Sequence, residues 1–336
     1  MIKEQKHTEQ YSIYNGDSAE IMQQFDDNSI DLSVFSLPFM GLFNYSSDPR
    51  DLSNVDSADE FKNQYAYFVE QLKRIIKPGR ICAVHCMDIL EHSGRIYDFP
   101  HEIIDVHKQY GFDLYSRVTI WKEPLKIRLR TMCQSLMHKF IMEDATKCFP
   151  SMPDYVLIFK KRGDNQVPVT HEFGIEDYAG ETPVLKHMVQ AWNNQHNSDF
   201  DEDDLWEYLK AEKRQNPNRT TKLNHYIWQR YASAVWDDVR NENVLPFRDA
   251  KEDDDEKHVH PLQLDVIERL VELYSNPNEI VLTPFMGVGS EVYGAVKKGR
   301  KGIGIELKDS YYKQAILNLE SLEHAIKENE EQMRMF

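Results

Sequence analysis

Cysteine and long apolar runs are both scarce in this sequence. Its four cysteines, Cys82, Cys86, Cys133 and Cys148, include no CxxC pair, which argues against a disulfide framework or a metal site and predicts buried, reduced thiols. No stretch approaches the roughly 20 apolar residues that a membrane span needs, and the N-terminus lacks the apolar core of a signal peptide. We therefore expect a protein of the cytoplasm that has no contact with membranes.

Basic charge is also in deficit, because the formal net charge is −16 over 336 residues. Lys and Arg contacts to phosphates dominate nucleic-acid affinity, so the bulk charge argues against a general polyanion binder. Basic residues nevertheless cluster at 122–139 and 210–222, whereas acidic runs lie at 199–204 and 252–256. Two interpretations stay open, a cationic cleft on an acidic body or a set of solvated charged faces.

The order of the periodic segments predicts an α/β fold. Residues 11–35 are typical of a strand-helix-strand unit, and Ser57-Ala58-Asp59-Glu60 forms a capping box before a helix that Pro78-Gly79 ends. Further strand patterns lie at 80–87, 115–121, 154–159, 279–283 and 302–307. Because strands alternate with helices, the sheet is expected to be mostly parallel.

The middle of the chain departs from this pattern. From about Lys160 to His258 the sequence is polar and rich in Trp, Tyr and His, which indicates an inserted subdomain. Helical periodicity returns at Leu264, and a final helix is expected to begin at Asp309. We therefore divide the chain into 1–160, 161–257 and 258–336.

A glycine turn follows the strand that ends at Thr283. Gly287 and Gly289 allow the backbone to turn sharply and approach a ligand, and the helix that follows presents its N-terminal amides to the same pocket. Glu306 ends the next strand about 20 residues on, the spacing of an acid that binds ribose hydroxyls. The third glycine of a dinucleotide fingerprint is replaced by Val292, which disfavours NAD. An ordinary strand-to-helix connection remains the alternative.

Three segments of the last third bear a family resemblance. Residues 283–290 resemble the D-P-F-x-G-x-G-[ST] donor motif of DNA adenine and cytosine amino-methyltransferases, and 299–306 resemble the stretch after it. His260-Pro261-Leu262-Gln263 resembles the His-Pro-x-Gln segment of that family. The resemblance implies S-adenosyl-L-methionine as cofactor. The residues that it implies for binding this donor are Asp17, His260, Pro261, Gln263, Thr283, Pro284, Phe285, Gly287, Gly289, Ser290 and Glu306.

The acceptor site is indicated near the start of the chain. Ser36-Leu37-Pro38-Phe39 resembles the catalytic [DNS]-P-P-[YFW] motif of the same family. The resemblance implies that the Ser36 hydroxyl and the Leu37 carbonyl accept the two amine hydrogens, that Pro38 stiffens the turn, and that Phe39 stacks on the base. Leu37 replaces a proline and Thr283 an aspartate of the family patterns, and Leu264-Asp265 replaces Lys-Pro.

The resemblance implies a complete architecture and activity. A catalytic motif that precedes the donor motif is typical of the circularly permuted beta class, so we expect a Rossmann-like S-adenosylmethionine-dependent methyltransferase fold with a mostly parallel seven-stranded sheet. Residues 1–160 would form its catalytic half, 161–257 a target-recognition insert and 258–336 its donor-binding half. The corners at Ser36 and Gly287 must then be neighbours in space. The resemblance looks greatest to enzymes of phages and mobile elements.

The expected reaction is methyl transfer to the exocyclic nitrogen of cytosine (N4) or adenine (N6) in double-stranded DNA, as in restriction-modification. A donor on a rigid sheet cannot reach an amine inside a duplex, so the base must be extruded, and the loop 40–50 is expected to help receive it. Serine at position 36 slightly favours cytosine over adenine as the target base. Met152-Pro153-Asp154-Tyr155 is a candidate second wall of the target pocket, and residues 224–231 are candidates for sequence recognition.

Several alternatives stay open at this point. The chain could be a DNA-binding relative that has lost catalysis, or a methyltransferase that acts on RNA or protein. The reaction needs no metal, and a homodimer is left open. We expect the protein in the cytoplasm of a bacterial cell or a phage-infected host.

Overall fold

The computed structural model describes residues 2–38, 51–55, 57–90, 95–125, 137–148, 151–250 and 261–334. Its strands are β1 (Glu4–His7), β2 (Tyr11–Asn15), β3 (Ile30–Ser36), β4 (Ile76–Met87), β5 (Ile89–Leu90), β6 (Ile96–Tyr97), β7 (Phe112–Ile120), β8 (Asp154–Lys161), β9 (Val235–Trp236), β10 (Ile280–Thr283) and β11 (Lys301–Glu306). Its helices are α1 (Ser18–Ile21), α2 (Ala58–Ile75), α3 (Phe99–Gln109), α4 (His138–Glu143), α5 (Lys186–His196), α6 (Glu202–Gln215), α7 (Lys222–Tyr231), α8 (Leu264–Tyr274), α9 (Ser290–Lys297) and α10 (Asp309–Arg334).

Nine of the described strands form one sheet in the order β1-β2-β11-β10-β3-β4-β8-β7-β9. The run from β2 to β4 is parallel throughout, β8 lies antiparallel between β4 and β7, and β1 pairs antiparallel with β2. The sheet is therefore mostly parallel, as predicted. It has more strands than the expected seven, because the short strands β1 and β9 extend its two edges.

Helices cover both faces of this sheet, which explains why its central strands are buried along almost their whole length. All of β3 is buried except Ser36 at its end. On one face α2 and α3 pack against β3 and β4. Ser57 caps α2 as predicted, because its hydroxyl accepts from the Glu60 amide. On the other face α8, α9 and α10 pack on the strands. The sheet is thus a rigid support whose chemistry is confined to strand ends.

The region predicted as an insert has a small core of its own, formed by α5, α6 and α7. Buried residues of this core run from Ile175 to Tyr231, and the chain returns to the main sheet at β9. The exposed fraction of Trp228 is 55%, whereas Trp192 and Trp236 are buried. The compact part of the insert is therefore shorter than the range 161–257, whose functional role stays a prediction.

The cysteines behave as the sequence indicates in the part of the chain that the structure covers. Cys82 and Cys86 are buried and free, and Cys148 is free and partly buried. Burial raises the pKa of the Cys82 thiol, so it is protonated and unreactive. Within the described ranges, no helix is both long enough and apolar enough to cross a membrane.

Candidate active site

The two corners singled out from the sequence lie side by side. Strand β10, which leads to the glycine turn, pairs in parallel with β3, which leads to Ser36, through Val281 opposite Leu32 and Leu282 opposite Ser33. The Ser33 hydroxyl also donates to the Leu282 carbonyl at 3.0 Å. Because parallel neighbours end at the same edge of a sheet, the acceptor and donor corners meet there.

A cleft of about 1060 Å³, part of it open to solvent, lies at this edge. It is lined by residues that follow β2, β3, β10 and β11, together with a few from the surrounding segments. They are Asp17, Ser18, Ser36, Leu37, Pro38, Asp51, Leu52, Phe68, Phe247, Pro261, Leu262, Pro284, Phe285, Met286, Gly287, Val288, Ser290, Glu291, Glu306, Leu307, Lys308 and Tyr311. One cleft therefore contains both predicted corners.

The acceptor corner is held by backbone contacts on two sides. The Leu37 amide donates to the His85 carbonyl at 3.2 Å, and the Ser36 amide donates to the buried carboxyl group of Glu291. A proline at position 37 has no N–H and could not make the first of these bonds. Leu37 departs from the family pattern, and its amide ties the corner to β4. Phe39 and the loop 40–50 lie outside the described residues.

The donor corner is built around the glycine turn. Gly287 has φ +53°, and a Cβ placed on it would meet no atom within 4 Å, so its Cα faces open space on the wall of the cleft. Its amide donates to one Glu306 oxygen at 2.7 Å, and the other oxygen accepts from the Lys308 amide at 2.8 Å. Ser18 donates its hydroxyl to the Pro284 carbonyl. These bonds fix the turn to β11 and to α1.

Four acidic residues line the cleft, namely Asp17, Asp51, Glu291 and Glu306. Burial raises the pKa of Glu291 to about 8, although amide donors, including that of Ser36, act to lower it. Burial likewise raises the pKa of Glu306 to about 7 against the amides of Lys308 and Gly287. The cleft therefore holds acidic groups whose ionised forms a cationic ligand would stabilise.

Not every predicted donor residue lies on the wall of the cleft. Asp17, Pro261, Pro284, Phe285, Gly287, Ser290 and Glu306 line it. Gln263 and Thr283 are buried just behind it, and Gly289 packs against α10, where a Cβ would come within 3.2 Å of Ala315. His260 lies outside the described residues. The Oγ of Ser290, the Oε1 of Gln263 and the Oγ1 of Thr283 are buried without a hydrogen-bond partner in the described part of the chain.

The Asp17 and Asp265 side chains also hold the local backbone in place. One Asp17 oxygen caps α1 by accepting from the Ala19 amide at 2.8 Å, and the same residue lines the cleft. Asp265, which departs from the family pattern, is buried in the first turn of α8. It accepts from the Arg240 guanidinium at 3.0 Å and from the Asn243 amide group at 2.7 Å. That position is structural here, because it anchors the segment before α8.

Two lysines of the predicted basic clusters are internal. Lys122 is buried and lies 2.9 Å from the Asp154 carboxylate, and Lys213 is buried 2.8 Å from Glu176. Neither offers a free charge to a polyanion. Lys126, Arg128 and Arg130 lie outside the described residues, whereas Lys139, Arg214, Arg219 and Lys222 are exposed. Of the two interpretations left open by the sequence, the cationic cleft therefore loses two of its candidate residues.

Sequence reasoning missed Glu291, His85, Asp51 and Lys308, and it named Asp154 only as part of a candidate wall of the target pocket. Glu291 follows directly after the donor motif. The sequence could have indicated it, because it is a charged residue at a position that the amphipathic pattern of α9 places in the core. His85 belongs to an apolar strand pattern and Asp154 begins another, so their pairing at 3.1 Å could not be read from local spacing. Asp51 and Lys308 carried no signal that separates them from surface charges.

Comparison with known proteins bears on this geometry. The family model described as "DNA methylase", for N6 and N4 methyltransferases, matches residues 30–317. A type II methyltransferase of Bacillus subtilis, M.BglII, is 22% identical over 303 residues, which are 89% of this chain and 66% of that protein. The chain thus spans slightly less than two thirds of that relative's length.

Solved structures agree on the fold. The PvuII DNA methyltransferase, described as cytosine-N4-specific, superposes with a TM-score of 0.57 at 15% identity, over 95% of this chain and 90% of that one. TTHA0409 of Thermus thermophilus, solved in complex with S-adenosyl-L-methionine, gives 0.55 at 18% identity over 91% and 92% of the two chains. The Rossmann-like methyltransferase fold is therefore the fold of this chain.

Proposed function

The chain belongs to the N6 and N4 DNA methylase family, and from this premise we propose that it transfers a methyl group from S-adenosyl-L-methionine to an exocyclic amino nitrogen in double-stranded DNA. The acceptor is N4 of cytosine or N6 of adenine in a base turned out of the duplex. The observation that carries this proposal is the shared cleft, in which the Ser36 corner and the Gly287 turn face each other from adjacent strands.

The donor side of the cleft fits this cofactor by charge and shape. S-adenosylmethionine is cationic at sulfur, and the four acidic residues that line the cleft favour a cation when they are ionised, while they disfavour the pyrophosphate of a dinucleotide. The open space at Gly287 admits the ligand close to the backbone, and the buried Ser290 hydroxyl, which has no hydrogen-bond partner among the described residues, is proposed to bond the ligand. When bound, the cofactor supplies an electrophilic methyl group.

On the acceptor side, Ser36 is the residue that we propose to contact the target amine. The lone pair of an aromatic amine is delocalised into the ring, so the nitrogen becomes nucleophilic only when its hydrogens are held out of the ring plane. A hydrogen bond accepted by the Ser36 hydroxyl and another by the Leu37 carbonyl would do this, with the turn fixed by Pro38. Phe39, as the stacking residue, stays a proposal from the resemblance.

The insert is proposed to contribute to target recognition. In the described residues of α7, His225, Trp228 and Gln229 are exposed, whereas Asn224, Arg230 and Tyr231 are buried. Exposed aromatic and amide groups suit contacts to bases and sugars. The buried members of the segment 224–231 serve the core of the insert instead.

The test is to incubate the full chain with mixed-sequence duplex DNA and S-adenosylmethionine labelled in its methyl group, then digest the DNA and identify the labelled nucleoside by mass spectrometry. We expect label in N4-methylcytosine or N6-methyladenine, and much slower labelling by Ser36→Ala, which should still bind the donor. RNA and a protein mixture serve as competing substrates. Donor binding without incorporation would contradict catalysis, and label confined to RNA or protein would contradict the proposed substrate.

A further inference from the structure

A chain of polar contacts leads from the cleft into the protein interior. The Ser36 Oγ lies 2.9 Å from Nδ1 of His85, and Nε2 of His85 lies 3.1 Å from Oδ2 of Asp154. The Nζ of Lys122 lies 2.9 Å from the same Asp154 oxygen. Ser36 is on the wall of the cleft, whereas His85, Asp154 and Lys122 are buried. The hydroxyl proposed to bind the target amine is therefore the outer end of a buried network.

The partners of His85 fix where its protons lie. An Asp154 carboxylate beside the Lys122 ammonium can only accept hydrogen bonds, so Nε2 of His85 must carry the hydrogen between them. In the neutral imidazole Nδ1 is then an acceptor. The hydrogen bond at 2.9 Å must come from the Ser36 hydroxyl, which donates to Nδ1. Hydrogen-bond donation thus runs inward, from the Ser36 hydroxyl to His85 and from His85 to Asp154.

This orientation decides what the Ser36 hydroxyl offers to a base. A freely rotating hydroxyl can donate to the amine nitrogen, and it would then occupy the lone pair that must attack the methyl group. A hydroxyl whose hydrogen is bound to His85 presents only its own lone pairs to the cleft, so it accepts from the amine. The network therefore restricts the Ser36 hydroxyl to accepting a hydrogen bond from the amine. An aspartate, which the family pattern allows at this position, accepts without such a network.

We propose that His85 and Asp154 are positioning residues for Ser36, and that His85 receives, through the Ser36 hydroxyl, the proton that the amine loses. This inference rests on the proposed function. As the C–N bond forms, the C–S bond breaks and its electron pair stays on sulfur. The nitrogen then gives its proton to the Ser36 Oγ while the Ser36 hydrogen passes to Nδ1 of His85. The imidazolium faces Asp154 until it returns the proton to water.

The charged groups around the relay come from three other parts of the described chain. Asp154 lies at the start of β8, Lys122 follows β7, and Glu291 of α9 accepts from the Ser36 amide. Glu291 holds the backbone of Ser36 and His85 holds its side chain, so the two contacts have separable effects. Replacing Glu291 should disturb the turn, whereas replacing His85 should disturb proton transfer.

The proton order is tested first, in the intact enzyme without DNA. Nitrogen-15 NMR of histidine-labelled protein distinguishes the two neutral tautomers. His107 is an internal reference, because its Nδ1 must donate to the Ile103 carbonyl at 3.0 Å and burial lowers its pKa to about 3. We expect His85 to have the opposite tautomer, protonated on Nε2. A His85 signal that matches His107 would overturn the proposal whatever the enzyme methylates.

The proton transfer is tested by single-turnover methylation across pH with Ser36→Ala, His85→Gln, their double variant and the exposed control His101→Gln. We expect His85→Gln to slow transfer about 100-fold or more, to remove the acidic limb of the pH profile and to leave donor affinity unchanged. Because both residues act through one hydroxyl, the double variant should be no slower than Ser36→Ala. His101→Gln should retain the wild-type profile.

Two outcomes separate the failures. A wild-type enzyme that methylates DNA, with additive Ser36 and His85 effects and an unchanged profile in His85→Gln, would overturn the relay and leave the proposed function standing. A wild-type enzyme that methylates no nucleic acid would overturn both the proposed function and the proton transfer. Asp154→Asn, combined with Lys122→Met to avoid a buried unpaired charge, should switch the His85 tautomer in the NMR experiment.

Discussion

At the scale of single residues, Gly287 allows the sharpest test of the donor side. Its left-handed backbone faces the open space of the cleft, so a valine side chain at this position would project where the ligand is proposed to lie. We expect Gly287→Val to raise the donor Kd by more than about 100-fold, beyond any effect on folding. Isothermal titration calorimetry with S-adenosylmethionine measures this.

Gly299 supplies the matched control for that change. It also has a left-handed backbone, with φ +72° and no atom within 4 Å of the position that a Cβ would take, but it lies beyond the far end of α9. Both valine variants should lose roughly 1–2 kcal/mol of stability, since both strain a left-handed residue. Only Gly287→Val should lose the donor, and equal losses of binding would contradict the position assigned to the ligand.

The two raised carboxyl pKa values predict how donor affinity depends on pH. The pKa of Glu291 is about 8 and that of Glu306 about 7, so both are partly protonated near neutrality. A cationic sulfonium favours the carboxylates, and binding should release protons. We expect affinity to rise with pH from about 6 to 9, by up to tenfold per unit for each group that must ionise. Calorimetry in buffers of different ionisation enthalpy measures the number of protons released when the donor binds.

Glu291→Gln separates the contributions of these two groups. The variant keeps the shape of the side chain but cannot ionise, so the rise in affinity above pH 7.5 should disappear. The same pKa shift makes the free energy of unfolding depend on pH. Because the Glu291 pKa is higher in the folded state than in the unfolded chain, its contribution to stability is complete below about pH 4.3 and is lost as pH rises through about 8. Urea unfolding of Glu291→Gln should therefore depend less on pH across that window. Unchanged slopes would contradict the role of Glu291.

The sequence identified some site residues and not others for a physical reason. Ser36 and Gly287 sit in turns whose composition is local, so short motifs find them. The bond from Ser36 to His85 joins residues 49 positions apart, and that from His85 to Asp154 joins residues 69 positions apart. Side-chain pairs of this kind depend on strand order, which periodicity does not reveal.

At the scale of elements, periodicity predicted the strands and helices well and the sheet less well. The strands β3, β7, β8, β10 and β11 all occur within a few residues of their predicted bounds. The antiparallel placement of β8 and the addition of β9 were not predicted. Two residues are too few for β9 to show a pattern, and its pairing with β7 is decided by the packing of Trp236 in the core.

The contact between the insert and α8 includes a buried ion pair. Arg269 of α8 is fully buried, and its guanidinium lies 2.8 Å from Asp238 and about 5 Å from the ring centroids of Tyr231 and Trp236. Removing the carboxylate leaves a buried cation without its main partner. We expect Asp238→Ala to lower the free energy of unfolding by about 3 kcal/mol, as measured by urea titration.

An exposed pair provides the comparison for this prediction. Arg162 and Asp113 are 2.9 Å apart, but both side chains are about 60% exposed. Solvent screens this pair, so Asp113→Ala should change the free energy of unfolding by less than about 1 kcal/mol. If the two variants are equally stable, the insert does not depend on the Arg269 contact for its docking.

At the scale of the whole molecule, the N-terminal and C-terminal parts of the chain both contribute strands that end at the cleft. The Ser33 to Leu282 bond joins residues 249 positions apart, so the cleft closes only when the N-terminal and C-terminal parts of the chain are both folded. The permuted motif order predicted this adjacency, and the pairing of β3 with β10 confirms it. The resemblance to phage enzymes, the homodimer and the role of the insert stay predictions.

This closure predicts how the molecule responds to the donor. A ligand in the cleft contacts segments from both ends, so it should stabilise them together as one cooperative unit. At about 100 times its Kd, S-adenosylmethionine should raise the free energy of unfolding by about 2.7 kcal/mol. Hydrogen exchange should slow in peptides that cover the ends of β3, β10 and β11, while α5 to α7, whose core is separate, should exchange at an unchanged rate. Protection of the β10 and β11 peptides alone would mean that the ligand does not reach the Ser36 corner, and methyl transfer between the two corners would then need a further closing motion.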